Sequence, residues 1–87
     1  MRKTLEGLLK YVSLDKRELE VAKFIFAFFH NPKRQKGAYT ITEITDAIRK
    51  TVELEREEVE DIINYLKVYG VFHQKGENKY KLNKEYR

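Results

Sequence analysis

The chain has 87 residues, of which 37% are charged, a net charge of +4 and no cysteine. This length predicts a single domain spanning residues 1–87, and the lack of cysteine excludes disulfides and thiolate metal sites. We expect no metal and no cofactor. Because no apolar run is long enough to cross a bilayer, we expect no membrane contact, and because a chain without cysteine fits a reducing compartment, we expect a cytoplasmic location.

Charge is unevenly distributed along the chain. Residues 1–50 carry a net charge of +5 and residues 71–87 carry +3, whereas residues 51–70 carry −4. The basic residues therefore flank an acidic segment, and the net charge of the whole chain does not show which part of it could bind a nucleic acid. A composition rich in Lys and Glu and free of Cys is also compatible with a thermophilic source.

Residues 2–12 have apolar side chains at helical spacing. These side chains are Leu5, Leu8, Leu9 and Val12. Because an isolated helix of this length is marginal in water, the stripe must dock on its own domain or on a second copy. The sequence leaves both alternatives open.

Residues 13–31 begin with a clear helix-start signal, because Asp15 is a good N-cap and Glu18 completes a capping box. One apolar stripe, assigned to the domain core, consists of Leu19, Ala22, Ile25, Phe26 and Phe29. The other stripe is predicted to receive residues 2–12 or a partner. The predicted dimer interface therefore comprises Leu5, Leu8, Leu9, Val12, Val21, Phe24 and Phe28.

Residues 32–38 form a predicted loop after the helix, which ends before Pro32. Lys33, Arg34 and Lys36 cluster in this loop. They are either a solvated surface or contacts to backbone phosphates, which flexible basic side chains neutralise readily.

Two helices are predicted next, joined by a turn, after a short strand at residues 39–41. The first runs from Glu43 to Lys50 with Thr42 as its cap. The second runs from Glu55 to Tyr69, and Gly70 ends it in the left-handed conformation. Its apolar residues lie on one face and are Val59, Ile62, Ile63, Leu66 and Tyr69. Together the two helices predict a helix-turn-helix.

Residues 71–83 predict a β-hairpin with a turn at Gly76, Glu77 and Asn78, where Gly and Asn tolerate positive φ. Lys75, Lys79 and Lys81 flank the turn. Alternation places Lys79 and Lys81 on one face of their strand and Tyr80 and Leu82 on the other. The last five residues are expected to be frayed.

The chain resembles the winged helix-turn-helix family of small archaeal and bacterial-type regulators in two segments, YTITEITDAI and EREEVEDIINYLKVYGVF. In the second segment, an apolar-patterned third helix leads into Gly70, Val71 and Phe72. The resemblance covers residues 15–83. It implies an α+β, mainly α, fold: a winged helix-turn-helix with an additional N-terminal helix at 2–12 and a C-terminal β-hairpin wing.

The family usually binds double-stranded DNA with its third helix in the major groove. The resemblance therefore implies a transcriptional regulator, acting as a homodimer, that contacts DNA through the wing, the basic loop and the third helix. The predicted DNA-binding residues are Lys33, Arg34, Lys36, Arg56, Asn64, Lys75, Lys79 and Lys81.

The outward positions of the third helix are unusually acidic for a helix that enters DNA. They include Glu57, Glu58, Glu60 and Asp61. Acids in the first turns stabilise a helix start against its dipole. Alternatively, these four residues bind a basic protein partner, and the chain is an interaction module that does not bind DNA.

An enzyme is not expected from this sequence. His30 and His73 are the only histidines, and neither is accompanied by a nucleophile–base pair, a phosphate-binding loop or a metal-ligand spacing. His73 is predicted to be a half-buried strand residue because it follows Val71 and Phe72.

Overall fold

The computed structural model describes residues 5–33 and 37–86. In chain order, this part of the chain forms α1 (Leu5–Leu9), α2 (Lys16–His30), β1 (Tyr39–Thr40), α3 (Ile41–Arg49), α4 (Arg56–Val68), β2 (Phe72–Lys75) and β3 (Lys79–Leu82). The strands form an antiparallel sheet in the order β1-β3-β2. The result is a small, compact, mainly helical α+β domain. Within the described ranges, no helix has the length and apolar character needed to span a membrane.

Helix α2 begins with the capping box that the sequence predicts. The Asp15 Oδ1 accepts a hydrogen bond from the Glu18 N–H at 2.8 Å, and the Glu18 Oε1 accepts one from the Asp15 N–H at 3.0 Å. Two backbone donors at the helix start are thereby satisfied.

Helix α3 begins two residues earlier than predicted. Thr40, and not Thr42, is the N-cap, and its Oγ1 accepts from the Glu43 N–H at 3.1 Å. The Glu43 Oε1 accepts in return from the Thr40 N–H at 3.0 Å. Ile41 is therefore helical and buried, and β1 is shortened to two residues.

Helix α4 lies within the predicted range and ends as predicted at Gly70. Gly70 has a φ of 78°. Its N–H donates to the Lys67 carbonyl at 3.0 Å, and the Val71 N–H donates to the Leu66 carbonyl at 3.1 Å. This pair of bonds is a Schellman motif, which caps the helix and turns the chain into β2.

The core corrects the assignment of the two stripes of α2. Val21 and Phe28, predicted at a dimer surface, are 2% and 6% exposed in the single chain, and Phe24 is half-buried against the core. The Phe28 ring packs edge-on against Tyr39 of β1 with centroids 4.9 Å apart. Helix α2 is therefore covered by its own domain on both apolar sides, through its packing on α3, α4 and β1.

Helix α1 also packs on its own domain. Leu8 and the following Val12 are half-buried against the core, and Leu9 is half-buried. The Leu5 side chain lies outside the described part of the structure. The structure therefore favours docking within the chain for the described part of this stripe.

The C-terminal segment is packed, contrary to the expectation that it is frayed. The Asn83 N–H donates to the Val71 carbonyl at 2.7 Å, and the Asn83 Nδ2 donates to the Gly70 carbonyl at 2.9 Å. Tyr86 is 6% exposed. These contacts hold residues 83–86 against the junction between α4 and β2.

Candidate nucleic-acid interface

The strand register places three lysines and one histidine on one face of the hairpin. His73 is opposite Lys81, and Lys75 is opposite Lys79. Because side chains opposite each other in neighbouring strands share a face, these four residues form one surface, which we call the basic sheet face. Lys81 is half-exposed and the other three are exposed.

The lysines of the basic sheet face have no carboxylate partner in the described part of the chain. Lys75 and Lys79 are directly opposite each other, and like charges in this position destabilise a sheet. A bound anion would remove this repulsion. The arrangement is therefore suited to a polyanion.

The opposite face of the hairpin packs on the domain and positions the turn. Phe72 and Tyr80 are buried there. At the end of this face, the Lys67 Nζ of α4 donates to the Gln74 Oε1 at 2.9 Å. The Gln74 Nε2 donates to the Glu77 carbonyl at 2.8 Å. The hairpin turn is thus tied to α4 through one side-chain relay.

Helix α4 presents the predicted readers Arg56 and Asn64 at exposed positions. The Arg56 Nη1 lies 3.6 Å from the Glu60 Oε2, one helical turn away. Asn64 follows Glu60 at the same spacing, so the three residues lie along one line of the helix. A base-reading role for Arg56 requires its guanidinium to exchange this carboxylate for DNA.

The four predicted partner-binding acids do not form one outward surface. Glu58 is half-buried and turned toward α2, where the Arg17 Nε donates to the Glu58 Oε2 at 2.8 Å. The Glu58 Oε1 also accepts from the Glu55 N–H at 2.9 Å. Arg17 first, and then this backbone bond, hold the pKa of Glu58 below its usual value. Glu57 and Asp61 are exposed and have no ion pair among the described residues.

The basic loop is only partly described. Lys33 is exposed directly after α2, where its N–H donates to the Asn31 Oδ1 at 2.9 Å. Arg34 and Lys36 lie outside the described residues.

A cleft of 320 Å³ lies between the start of α3, the first half of α4 and the hairpin turn. Arg56, Glu60 and Glu77 lie along it, and Tyr80 lines it from β3. Tyr80 is 7% exposed, and its hydroxyl has no hydrogen-bond partner among the described residues. Every fully buried side-chain oxygen in that part of the chain has a partner, so this hydroxyl is accessible to solvent.

Two features were not predicted from the sequence, one on the basic sheet face and one in the cleft. His73 is exposed on the basic sheet face and not half-buried. The signal that would have found it is its alternation with Lys75 and the symmetric register across a three-residue turn. The Tyr80 hydroxyl, which has no partner among the described residues, has no comparable signal in the sequence, because its position in the cleft depends on how three separate elements meet.

No protein-family model, curated protein or solved structure matches this chain. Within the described residues, no three His, Cys, Asp or Glu side chains are grouped so as to hold a metal ion.

Proposed function

We propose that the chain is a winged-helix protein that binds double-stranded DNA and acts as a transcriptional regulator. In this proposal α2, α3 and α4 are the three helices of the winged helix, and the β2–β3 hairpin is the wing. The element order and the antiparallel order β1-β3-β2 support it. In the same proposal, the helix-turn-helix is formed by the helix Ile41–Arg49, the turn and the helix Arg56–Val68.

The observation that carries the proposal is the basic sheet face. Its three lysines are within a hairpin of eleven residues and have no carboxylate partner in the described chain. Phosphate contacts supply most of the affinity of non-specific DNA binding, and lysine suits them because it needs no fixed geometry. The His73 ring adds a further N–H donor. The wing, more than α4, is therefore proposed to carry the contact.

The salt dependence of duplex binding tests this role. In Lys75→Gln/Lys79→Gln, two phosphate contacts are lost, so the slope of log K against log salt should become shallower by about 1.8. Fluorescence anisotropy with a random-sequence duplex measures it. The matched control is Lys16→Gln/Lys23→Gln, which removes two exposed lysines from α2 and should leave the slope near that of the unmodified protein. An equal change in both variants would remove the wing from the interface.

The alternative function, a protein-interaction module, keeps one supporting observation. Glu57 and Asp61 are exposed on α4 without an ion pair in the described chain. A basic partner would complement them. The pairing of Glu58 with Arg17 leaves a smaller acidic surface than this function was expected to use.

The proposal includes a homodimer, with a different surface from the one predicted. Because Val21 and Phe28 belong to the core, the interface would use Tyr11, which is 84% exposed, and Val68, which is 81% exposed. The Ser13 N–H donates to the Tyr65 hydroxyl at 3.0 Å, so the segment after α1 adjoins the second half of α4.

Analytical ultracentrifugation at micromolar concentration tests the dimer. The unmodified protein is expected to sediment as a dimer, because closed two-fold pairs are the commonest oligomers. The variant Tyr11→Ser/Val68→Ser is expected to sediment as a monomer, because it lacks the two exposed side chains proposed for the interface. A monomeric unmodified protein would contradict the proposal and would mean that α1 serves only its own domain.

A further inference from the structure

We propose that the cleft between α3, α4 and the hairpin turn binds a free α-amino acid, with the carboxylate of the ligand at the start of α3 and its ammonium group between Glu60 and Glu77. This site is separate from the basic sheet face, which is on the other side of the hairpin. It adds a small-molecule ligand to the proposed DNA-binding function and does not depend on that function.

The positive half of the site is formed by two groups. Ile41 and Thr42 of the first turn of α3 line the cleft, and the N–H groups of a first helical turn lack intrahelical acceptors and carry partial positive charge. The guanidinium of Arg56 lies along the same cleft, and its one ion pair in the described chain is the 3.6 Å contact with Glu60. A carboxylate is the natural ligand for this combination.

The negative half consists of Glu60 on α4 and Glu77 on the turn. The Glu77 carboxylate has no partner among the described residues. A bare anion such as phosphate would be repelled by these two carboxylates, whereas an ammonium group would be attracted. The Arg56 Nη1 and the Glu60 Oε2 lie 3.6 Å apart in an ion pair, so a ligand that contacts both groups needs its own opposite charges close together. An α-amino acid, with both groups on one carbon, meets this requirement.

Tyr80 supplies independent support for a ligand in the cleft. It is more than nine-tenths buried, yet its hydroxyl has no protein partner in the described structure. The hydroxyl is accessible to solvent, so it is available to form a hydrogen bond with a molecule in the cleft that Tyr80 lines. A ligand carboxylate within reach would accept this bond.

The size and stability of the cleft fit one small molecule. Its 320 Å³ lies at the lower end of the range of about 300–1,000 Å³ for small-molecule sites. The relay from Lys67 through Gln74 to the Glu77 carbonyl ties the turn to α4. The two walls are thus connected before any ligand binds, which lowers the entropic cost of binding.

The experiment is a titration of the full 87-residue chain with individual L-amino acids, followed by amide NMR in the absence of DNA. At least one amino acid is expected to give saturable shifts centred on Ile41, Thr42 and Arg56. Acetate and methylammonium each supply half of the ligand, so each should bind at least tenfold more weakly. If acetate binds as tightly as every amino acid, the cleft is only an anion site and the proposal is wrong.

Matched variants locate the site. Glu60→Gln removes one ammonium contact and should weaken binding about tenfold, whereas Asp61→Asn, an exposed neighbour outside the cleft, should leave it unchanged. Tyr80→Phe should also weaken binding about tenfold, with circular dichroism used to verify that the variant is folded. If Tyr80→Phe is unfolded, the comparison of Glu60→Gln with Asp61→Asn alone locates the site.

Two further outcomes would overturn the proposal. The first is the absence of saturable shifts with all of the amino acids, and the second is equal weakening by Glu60→Gln and Asp61→Asn. Because DNA is absent from the titration, neither outcome bears on the basic sheet face. Conversely, an unchanged salt slope in Lys75→Gln/Lys79→Gln would leave the amino-acid site intact.

Discussion

The first half of α4 and the β2–β3 hairpin are both densely charged, with opposite signs, and the fold uses the two charges differently. On α4, Glu58 joins Arg17 and caps the helix start, and Glu60 faces Arg56. On the hairpin, the three lysines of the basic sheet face have no such partner in the described chain. Charge committed to internal contacts adds little to an external field, so unpaired lysines are a better indicator of a binding surface than the net charge of a segment.

Of the tests of this comparison, neutralising the outward acids of α4 is expected to change the measured affinity most. In Glu57→Gln/Glu60→Gln/Asp61→Asn, three negative charges are removed with little change in shape. If α4 lies near DNA, duplex affinity should rise by about fivefold at low salt, and the gain should shrink as salt rises. Anisotropy titrations at several salt concentrations measure it.

The outcomes of this titration separate the two functions. Unchanged DNA affinity would mean that the acids lie away from DNA, and loss of binding to a basic partner in the same variant would then favour the protein-interaction module. Weaker DNA binding would mean that the acids accept hydrogen bonds from bases such as cytosine, contrary to both accounts. Glu20→Gln/Glu53→Gln, which removes two exposed acids elsewhere, serves as the control and should have a smaller effect.

A smaller effect is expected from Glu58, whose charge is committed to the fold. Because Arg17 and the Glu55 N–H hold the pKa of Glu58 below its usual value, the carboxylate stabilises the folded state at pH values above the ordinary pKa of a glutamate side chain. This contribution is lost as the pH falls through the pKa that Glu58 has in the folded protein, which is the lower of the two. Glu58→Gln should therefore be less stable than the unmodified protein at neutral pH, and the difference should disappear in acid.

Urea denaturation at about pH 7 and about pH 3 measures this difference as a shift in the midpoint. The effect is modest because both side chains are partly exposed to solvent. Glu57→Gln, at the neighbouring exposed position, controls for the loss of one charge. A stability difference that is equal at both pH values would show that the Arg17–Glu58 pair does not act through ionisation.

The helix ends were predictable where the signal is local. Asp15 with Glu18, and Gly70 after Leu66, each fix a terminus through contacts within a few residues. The start of α3 was misplaced by two residues because Thr40 and Thr42 are both acceptable caps. Thr40 is the cap because Glu43, three residues later, completes a capping box with it. The pairing of Tyr39 with Tyr80 places β1 directly before this cap.

The contacts of α2 and of the cleft could not be predicted in the same way. A helix that is apolar on two sides requires cover on two sides, but its sequence does not distinguish cover by its own domain from cover by a partner. The burial of Phe28 against Tyr39 depends on the position of β1. The cleft likewise depends on α3, α4 and the hairpin turn meeting, and no single segment contains that information.

The position of β2 at the edge of the sheet gives the basic sheet face a second consequence. An edge strand has one row of backbone N–H and carbonyl groups available for another chain, and charged side chains, lysine above all, discourage such pairing. Lys75, which lies within the four residues of β2 and opposite Lys79, therefore also protects this edge of the sheet from pairing with a second copy of the chain.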